Sequence, residues 1–359
     1  MTTDMGITEK TLFSRSQLTT MEVWTRESLQ AKNTFGVPCT APAYAPIRVR
    51  EHLDTVGRVF EPHEVFILGG GSNVLFLSSP RKLVLHNQLR GYRIDAEEGN
   101  TAIVAAAGGE DWHRFVQWTL QQGFGGLENL SLIPGSVGAA PIQNIGAYGV
   151  ELSQVLYDLE AYDLVRGEWR RFTPEECAFG YRDSYFKREG KGRYFITEVR
   201  FRLTVFEHEL NTSYGAISQE LVRLGITDPE PEDISKVVTA IRQQKLPNPA
   251  ELGNAGSFFK NPIIKRALFS RLRKTFPEMV HYPVSPKYVK IPAGWLIEQC
   301  GWRGQRRDWV GSYAKQSLVL VNYGHATGHD IWAFAQAIKQ SVFEKFGITL
   351  EEEVNVIGA

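Results

Sequence analysis

Between Asn129 and Val150 the chain runs for twenty-two residues without a charge, yet the stretch holds Pro134, Pro141, Gln143, Asn144 and four glycines. Its length would suffice to cross a bilayer as a helix, but the prolines and glycines interrupt a helix and the amides would be stranded in lipid. A neutral segment rich in Gly, Ser, Asn and Gln suits a loop wrapped on a large, mostly planar ligand through backbone contacts. The same composition also fits a buried neutral loop with no ligand.

A second glycine-rich segment stands between two apolar runs: Val65 to Leu68, then Gly69-Gly70-Gly71-Ser72-Asn73, then Val74 to Leu77. The pattern reads strand, turn, strand. It is not the dinucleotide fingerprint, because Val74 stands where the third glycine of G-x-G-x-x-G is needed and no helix pattern follows. Two readings stand on these residues alone, a plain hairpin turn and a concave cradle of backbone N–H groups for a diphosphate.

Further along, residues 101–109 read as a buried strand and 111–122 as a helix whose apolar spacing runs through Trp112, Phe115, Val116, Trp118 and Leu120. Short runs between 155 and 205 suggest a meander of strands. Proline pairs at Pro229/Pro231 and Pro247/Pro249 bracket a helix over 233–244. The last stretch reads as a helix at 293–300, a strand at 317–322 and an amphipathic helix at 330–346 that stops at Gly347.

With 359 residues the chain can bury more than one core, and two or three domains are expected. Lys+Arg and Asp+Glu are both 40, so no net field draws it to nucleic acid or an anionic membrane, and an anionic ligand must be met by local cations. The first twenty residues are polar and mixed in charge, which predicts no secretion signal and a cytoplasmic protein. Cys39, Cys177 and Cys300 lie far apart and are odd in number, so neither a disulfide framework nor a close metal site is expected. His325 and His329 are four apart, but Gly324 and Gly328 break the helix and no acid completes a metal site.

Three segments carry residues fit for chemistry. Arg182, in Gly180-Tyr181-Arg182-Asp183-Ser184, could grip a carboxylate bidentately or make a surface salt bridge. Ser257, between Gly256 and two phenylalanines, has no nucleophile elbow; it reads as a proton-passing hydroxyl or as a cap. Glu353 closes an acidic run before Val354-Asn355-Val356-Ile357, which is either a solvated run or a carboxylate carried into apolar company, where its pKa would rise.

Five segments together, residues 67–75 (ILGGGSNVL), 126–152 (GLENLSLIPGSVGAAPIQNIGAYGVEL), 179–184 (FGYRDS), 254–262 (NAGSFFKNP) and 350–358 (LEEEVNVIG), resemble the UDP-N-acetylenolpyruvoylglucosamine reductase family. The resemblance is in order and runs from about Asn33 to Gly358. It implies an α+β fold: two FAD-binding subdomains of the vanillyl-alcohol-oxidase type and a C-terminal α+β domain over the substrate. The implied division is an extension at 1–20, subdomains at 21–90 and 91–246, a substrate domain at 247–352, and a final strand at 353–359 returning to the first subdomain. The implied activity is NADPH-dependent reduction of UDP-N-acetylglucosamine enolpyruvate to UDP-N-acetylmuramate through non-covalent FAD, in peptidoglycan precursor synthesis.

By motif position, Ser257 matches the proton donor, and Arg182 and Glu353 match the groups that bind and polarise the enolpyruvyl carboxylate. The resemblance places FAD against Gly69, Gly70, Gly71, Ser72, Asn73, Val74, Ser131, Ile133, Pro134, Gly135, Gly138, Ala139, Gln143, Asn144, Ile145, Gly146 and Arg242. It places the UDP-sugar against Tyr214, Lys245, Asn261, Arg303 and Gln316, with Tyr214 on the loop that covers the UDP moiety. No metal, nucleic acid or membrane insertion is implied, and a monomer is expected. Two departures stand out: Asn355 where an arginine is familiar, and Ala139-Ala140 where serines are often found.

Two rival readings remain at this point. One is an alcohol oxidase of the same fold with FAD tethered to His113, against a half-buried structural histidine. The other is a non-catalytic binding module, which the joint presence of Arg182, Ser257 and Glu353 opposes.

Overall fold

A computed structural model describes residues 21–358 of the chain; the expected extension at 1–20 lies outside the described residues. The first sheet has the order Trp24–Ser28, Thr40–Ile47, Leu83–Asn87, Val65–Leu68. Only its first pair is antiparallel. Leu83, Val84 and Leu85 are all buried, as in a parallel strand covered on both faces. Between Thr40–Ile47 and Val65–Leu68 runs a helix, Glu51–Val59, which buries Leu53 and Val56.

The run that follows is a five-stranded antiparallel sheet in the order Glu168–Phe172, Leu156–Asp163, Tyr194–Thr204, Thr101–Ala107, Tyr92–Glu98. The helix Trp112–Gln121 starts where Asp111 accepts the Arg114 N–H at 2.9 Å, an N-cap that satisfies one open donor. Its apolar stripe lies on the sheet, with the Trp112 ring 5.9 Å from Phe201.

Near the C-terminus, Gly253–Ser257, Gln316–Asn322, Val310–Tyr313 and Arg306–Arg307 form a four-stranded sheet. The helix Gly328–Phe346 opens on a capping box between Thr327 and Asp330 and closes at Gly347, whose φ of +64° is the left-handed conformation that ends helices. The expected strand at 317–322 and helices at 111–122, 233–244, 293–300 and 330–346 are all present within a few residues of their predicted ends. The helices Glu51–Val59, Gly215–Leu224 and Arg266–Thr275 were not anticipated.

The two glycine-rich segments do not take the simplest forms open to them. Val65–Leu68 and Val74–Phe76 belong to different sheets, so Gly69–Asn73 is a crossover and not a hairpin turn. Val74–Phe76 pairs instead with the end of the chain, Asn355–Ile357, in parallel, with Val356 opposite Leu75. The charge-free stretch enters on a turn of 3-10 helix that begins just before it, Glu128–Leu130, and forms another at Val137–Gln143, and among the described residues no helix is long and apolar enough to cross a membrane. Cys39, Cys177 and Cys300 are free thiols.

One contiguous apolar core joins Leu68, Leu75 and Phe76 to Phe258, Leu320 and Phe334. The segment between the two strands flanking the glycines is thereby anchored at both ends in a core shared with the C-terminal sheet.

Candidate functional site

Gly70 and Gly71 show why the crossover requires glycine. A Cβ on Gly70 would stand 2.9 Å from Gly135 Cα, and one on Gly71 would stand 1.9 Å from the Lys32 carbonyl oxygen. The first contact is between the two glycine-rich segments themselves: their backbones touch because neither carries a side chain there. Hydrogen bonds then fix the pair. Ser72 Oγ donates to the Pro134 carbonyl at 2.9 Å, and Asn73 Nδ2 donates to Gln143 Oε1 at 2.6 Å and to the Glu353 carbonyl at 3.2 Å. Both the backbone N–H and the side-chain amide of Asn355 reach the Asn73 carbonyl, each at 3.0 Å. The asparagine at the departing position is therefore committed to the crossover.

The charge-free segment is held from below by Trp112 N–H to the Gly135 carbonyl (3.0 Å), Val137 N–H to Glu110 (2.9 Å) and Gly138 N–H to Gly108 (2.8 Å). At its start, the Leu132 N–H donates to His113 Nδ1 at 2.9 Å and the Leu132 carbonyl accepts from Arg242 Nε at 3.2 Å.

The two segments wall a cavity of about 1040 Å³. Of the residues expected at the cofactor, Gly69, Gly70, Gly71, Ser72, Asn73, Val74, Ile133, Pro134, Gly135, Gly138, Ala139, Gln143, Ile145, Gly146 and Arg242 line it. Ser131 and Asn144 do not. Ser131 is buried with its hydroxyl 2.7 Å from that of Ser235, and Asn144 donates to Glu151 and to the Gly180 carbonyl, shaping the turn from behind. The wall also includes Asn87, Trp112, Ser136 and Lys191, none of which the sequence marked as a cofactor contact.

Arg182, Ser257 and Glu353 line the same cavity. Arg182 sits at φ +53° in the tight turn closed by Gly180 and Asp183, a left-handed conformation that a non-glycine residue adopts only where its surroundings hold it. Its guanidinium donates to the Gly146 carbonyl at 2.7 Å and lies 3.0 Å, through Nε, from Glu353 Oε1. Both side chains are largely buried, so this is no surface pair. Burial pushes the Glu353 carboxyl above its ordinary range, while Arg182, Lys187 and Lys260 pull it back down. Lys187 Nζ also donates to the Arg182 carbonyl at 3.3 Å, and burial lowers its own pKa. Ser257 ends the strand Gly253–Ser257 beside Gly256, whose φ of +69° turns the chain at the cavity.

Tyr214, Lys245, Asn261, Arg303 and Gln316 are not in the cavity wall. Tyr214 is exposed and packs edge-on against Tyr148 at 5.2 Å, and Asn261 Oδ1 accepts the Ala293 N–H, capping a helix. His113 is also outside the wall, with its Nδ1 engaged by Leu132. The described residues contain no metal-holding cluster.

The cavity fits FAD on its own terms. Its lining carries Arg81, Lys82, Arg182, Lys191 and Arg242 against one carboxylate, Glu353, which suits an anionic diphosphate; a Cβ on Gly70 would collide with the opposite wall, and among the described residues the buried Ser136 Oγ has no hydrogen-bond partner, left for a ligand atom.

Residues 52–173 match the family model described as an FAD binding domain, and residues 248–357 match that of the UDP-N-acetylenolpyruvoylglucosamine reductase C-terminal domain. The UDP-N-acetylenolpyruvoylglucosamine reductase of Flavobacterium johnsoniae is 48% identical over 94% of this chain and 100% of its own length. That of Pseudomonas putida is 49% identical over 92% of this chain and 97% of its own. The crystal structure of the reductase from Thermus caldophilus superposes with a TM-score of 0.62 at 24% identity, covering 94% of this chain and 98% of that one, a likeness of fold.

Proposed function

The chain belongs to the UDP-N-acetylenolpyruvoylglucosamine reductase family, and from that premise we propose that it reduces UDP-N-acetylglucosamine enolpyruvate to UDP-N-acetylmuramate with FAD as cofactor and NADPH as reductant. The observation that carries the reading is the convergence of Arg182, Glu353 and Ser257, from three distant segments, on the wall of the glycine-lined cavity. The fold is α+β, with an FAD binding domain model matching residues 52–173 and a reductase C-terminal domain model matching 248–357; we read it as two cofactor subdomains followed by a substrate domain.

Once bound and reduced by NADPH, the flavin would supply a hydride to the methylene carbon of the enolpyruvyl ether, returning to its oxidised form. The neighbouring carbon then bears negative charge shared with the carboxylate, and the protein's part is to hold that charge and protonate it. Arg182 is the group to take the carboxylate. Its Nε is already fixed by Glu353 and its Nη2 donates to the Gly146 carbonyl, which leaves the remaining N–H groups of the guanidinium for a ligand. Ser257 delivers the proton; a hydroxyl is a weak acid, so transfer depends on the basicity of the carbanion and on a prearranged contact. Glu353 orients Arg182.

Tyr214, Lys245, Asn261, Arg303 and Gln316 serve the UDP-sugar outside the cofactor cavity, with Tyr214 covering the nucleotide. A cytoplasmic monomer completes the reading, and gel filtration with light scattering tests the oligomeric part of it.

The direct test is the visible spectrum of the purified protein under anaerobic NADPH, followed by the enolpyruvyl sugar nucleotide. Yellow flavin that bleaches with NADPH and recolours with the sugar nucleotide supports the assignment. Flavin that recolours only in air points to another acceptor, and protein that binds no flavin ends the reading.

A further inference from the structure

His113 stands on the helix Trp112–Gln121, half-buried and outside the cavity wall. Its Nδ1 accepts the Leu132 N–H at 2.9 Å. A ring nitrogen that accepts carries no proton, so the imidazole is neutral with its proton on Nε2. Leu132 has φ +57°, a conformation leucine avoids, and its carbonyl accepts from Arg242 Nε at 3.2 Å. Both polar backbone groups of one left-handed residue are therefore gripped, each by a side chain from a different helix. The three residues that follow, Ile133, Pro134 and Gly135, line the cavity.

We infer that His113 is a positioning residue for the cofactor: as neutral imidazole it clamps the Leu132 peptide, and the clamp sets how tightly the segment Ile133 to Gly135 holds FAD. The inference rests on reading the cavity as the FAD site. It also gives the histidine a role other than a covalent tether, since the nitrogen that faces the loop is already bonded to it.

Protonation of His113 would remove the acceptor and set a second cation beside Arg242. The charged groups that face the ring are Arg242, from the helix Pro231–Lys245, and Asp111, which caps its own helix. Burial does most to lower the imidazole pKa, Arg242 adds to it, and Asp111 works against it. The flavin-holding form is the neutral one, so affinity is complete above the ordinary imidazole value of about 6.5. It is lost as pH falls through the depressed value of the clamped state.

The experiment is FAD affinity, read from flavin fluorescence quenching on titration of the protein, between pH 8 and pH 5. His113→Ala is expected to weaken binding about tenfold at pH 8, equivalent to about 1.4 kcal/mol. His113→Asn places an amide oxygen near the Nδ1 position with no proton to take up, so it should recover most of the affinity and flatten the pH dependence. Wild-type affinity in His113→Ala, or His113→Asn that titrates like the wild type, overturns the inference. Wild-type protein that takes up no FAD at any pH overturns the cofactor reading beneath it and is recognisable as such without any variant.

Discussion

Arg182 Nε lies 3.0 Å from Glu353 Oε1, and the pair joins a strained turn to the bend that leads into the strand Asn355–Ile357 inside one cavity. The carboxyl is pushed up by burial and held down by three cations, Arg182, Lys187 and Lys260. Removing one cation, with Lys187→Met, raises its pKa further. Because the ion pair needs the carboxylate ionised, activity is present above that pKa and lost as pH falls through it. The acidic limb of the kcat profile should therefore move to higher pH in Lys187→Met, while Lys187→Arg restores it. A limb that does not move in Lys187→Met would show that Glu353 is not the group titrating.

The proton-donor role proposed for Ser257 belongs to one half-reaction only. Ser257→Ala should slow reoxidation of reduced flavin by the enolpyruvyl sugar roughly 100-fold or more, the usual scale for losing a general acid. Reduction by NADPH should stay within a few-fold. Stopped-flow absorbance separates the two, and equal slowing of both would remove the proton-donor role.

How much of this was legible in the sequence depended on whether the signal was local. The strand Thr101–Ala107 and the helices Trp112–Gln121 and Gly328–Phe346 show their periodicity over long stretches and were readable. Glu51–Val59 was not: it is short, and only Leu53, Val56 and the half-polar His52 are buried. The glycine-rich segments announced a ligand by composition, but their mutual contact at Gly70 and Gly135 is tertiary, as is the parallel pairing of Asn355–Ile357 with Val74–Phe76. Ser136 and Lys187 were missed for the same reason. Ser131 shows the converse: it sits within a matching motif, yet its hydroxyl is spent on Ser235 beneath the loop.

Gly70→Ala tests the contact between the segments. The added methyl would meet Gly135 Cα at 2.9 Å, backbone against backbone, with no flexible side-chain end to move aside. The two loops must part, and the cradle widens where their amides converge. The expected outcome is a folded protein, judged by far-UV circular dichroism, that purifies with little flavin and binds added FAD at least about tenfold more weakly, about 1.4 kcal/mol. Unchanged flavin content would show that the close approach does not shape the cofactor site.

Tyr214 is exposed, outside the cavity wall, and held edge-on to Tyr148 at 5.2 Å. Its phenol pKa is raised, first by desolvation where the side chain is covered and then by the charge of Tyr282. An aromatic side chain in that place can cover a bound nucleotide without touching the reacting carbons. Removing it takes away binding that is the same in ground and transition states, which raises KM and leaves kcat unchanged. Tyr214→Ala should raise KM for the enolpyruvyl sugar roughly tenfold, a loss of about 1.4 kcal/mol, with kcat and the KM for NADPH within about twofold. Tyr214→Phe keeps the ring and should recover most of the loss if stacking dominates. A fall in kcat in Tyr214→Ala, with KM unchanged, would instead place this tyrosine among the groups that act on the transition state.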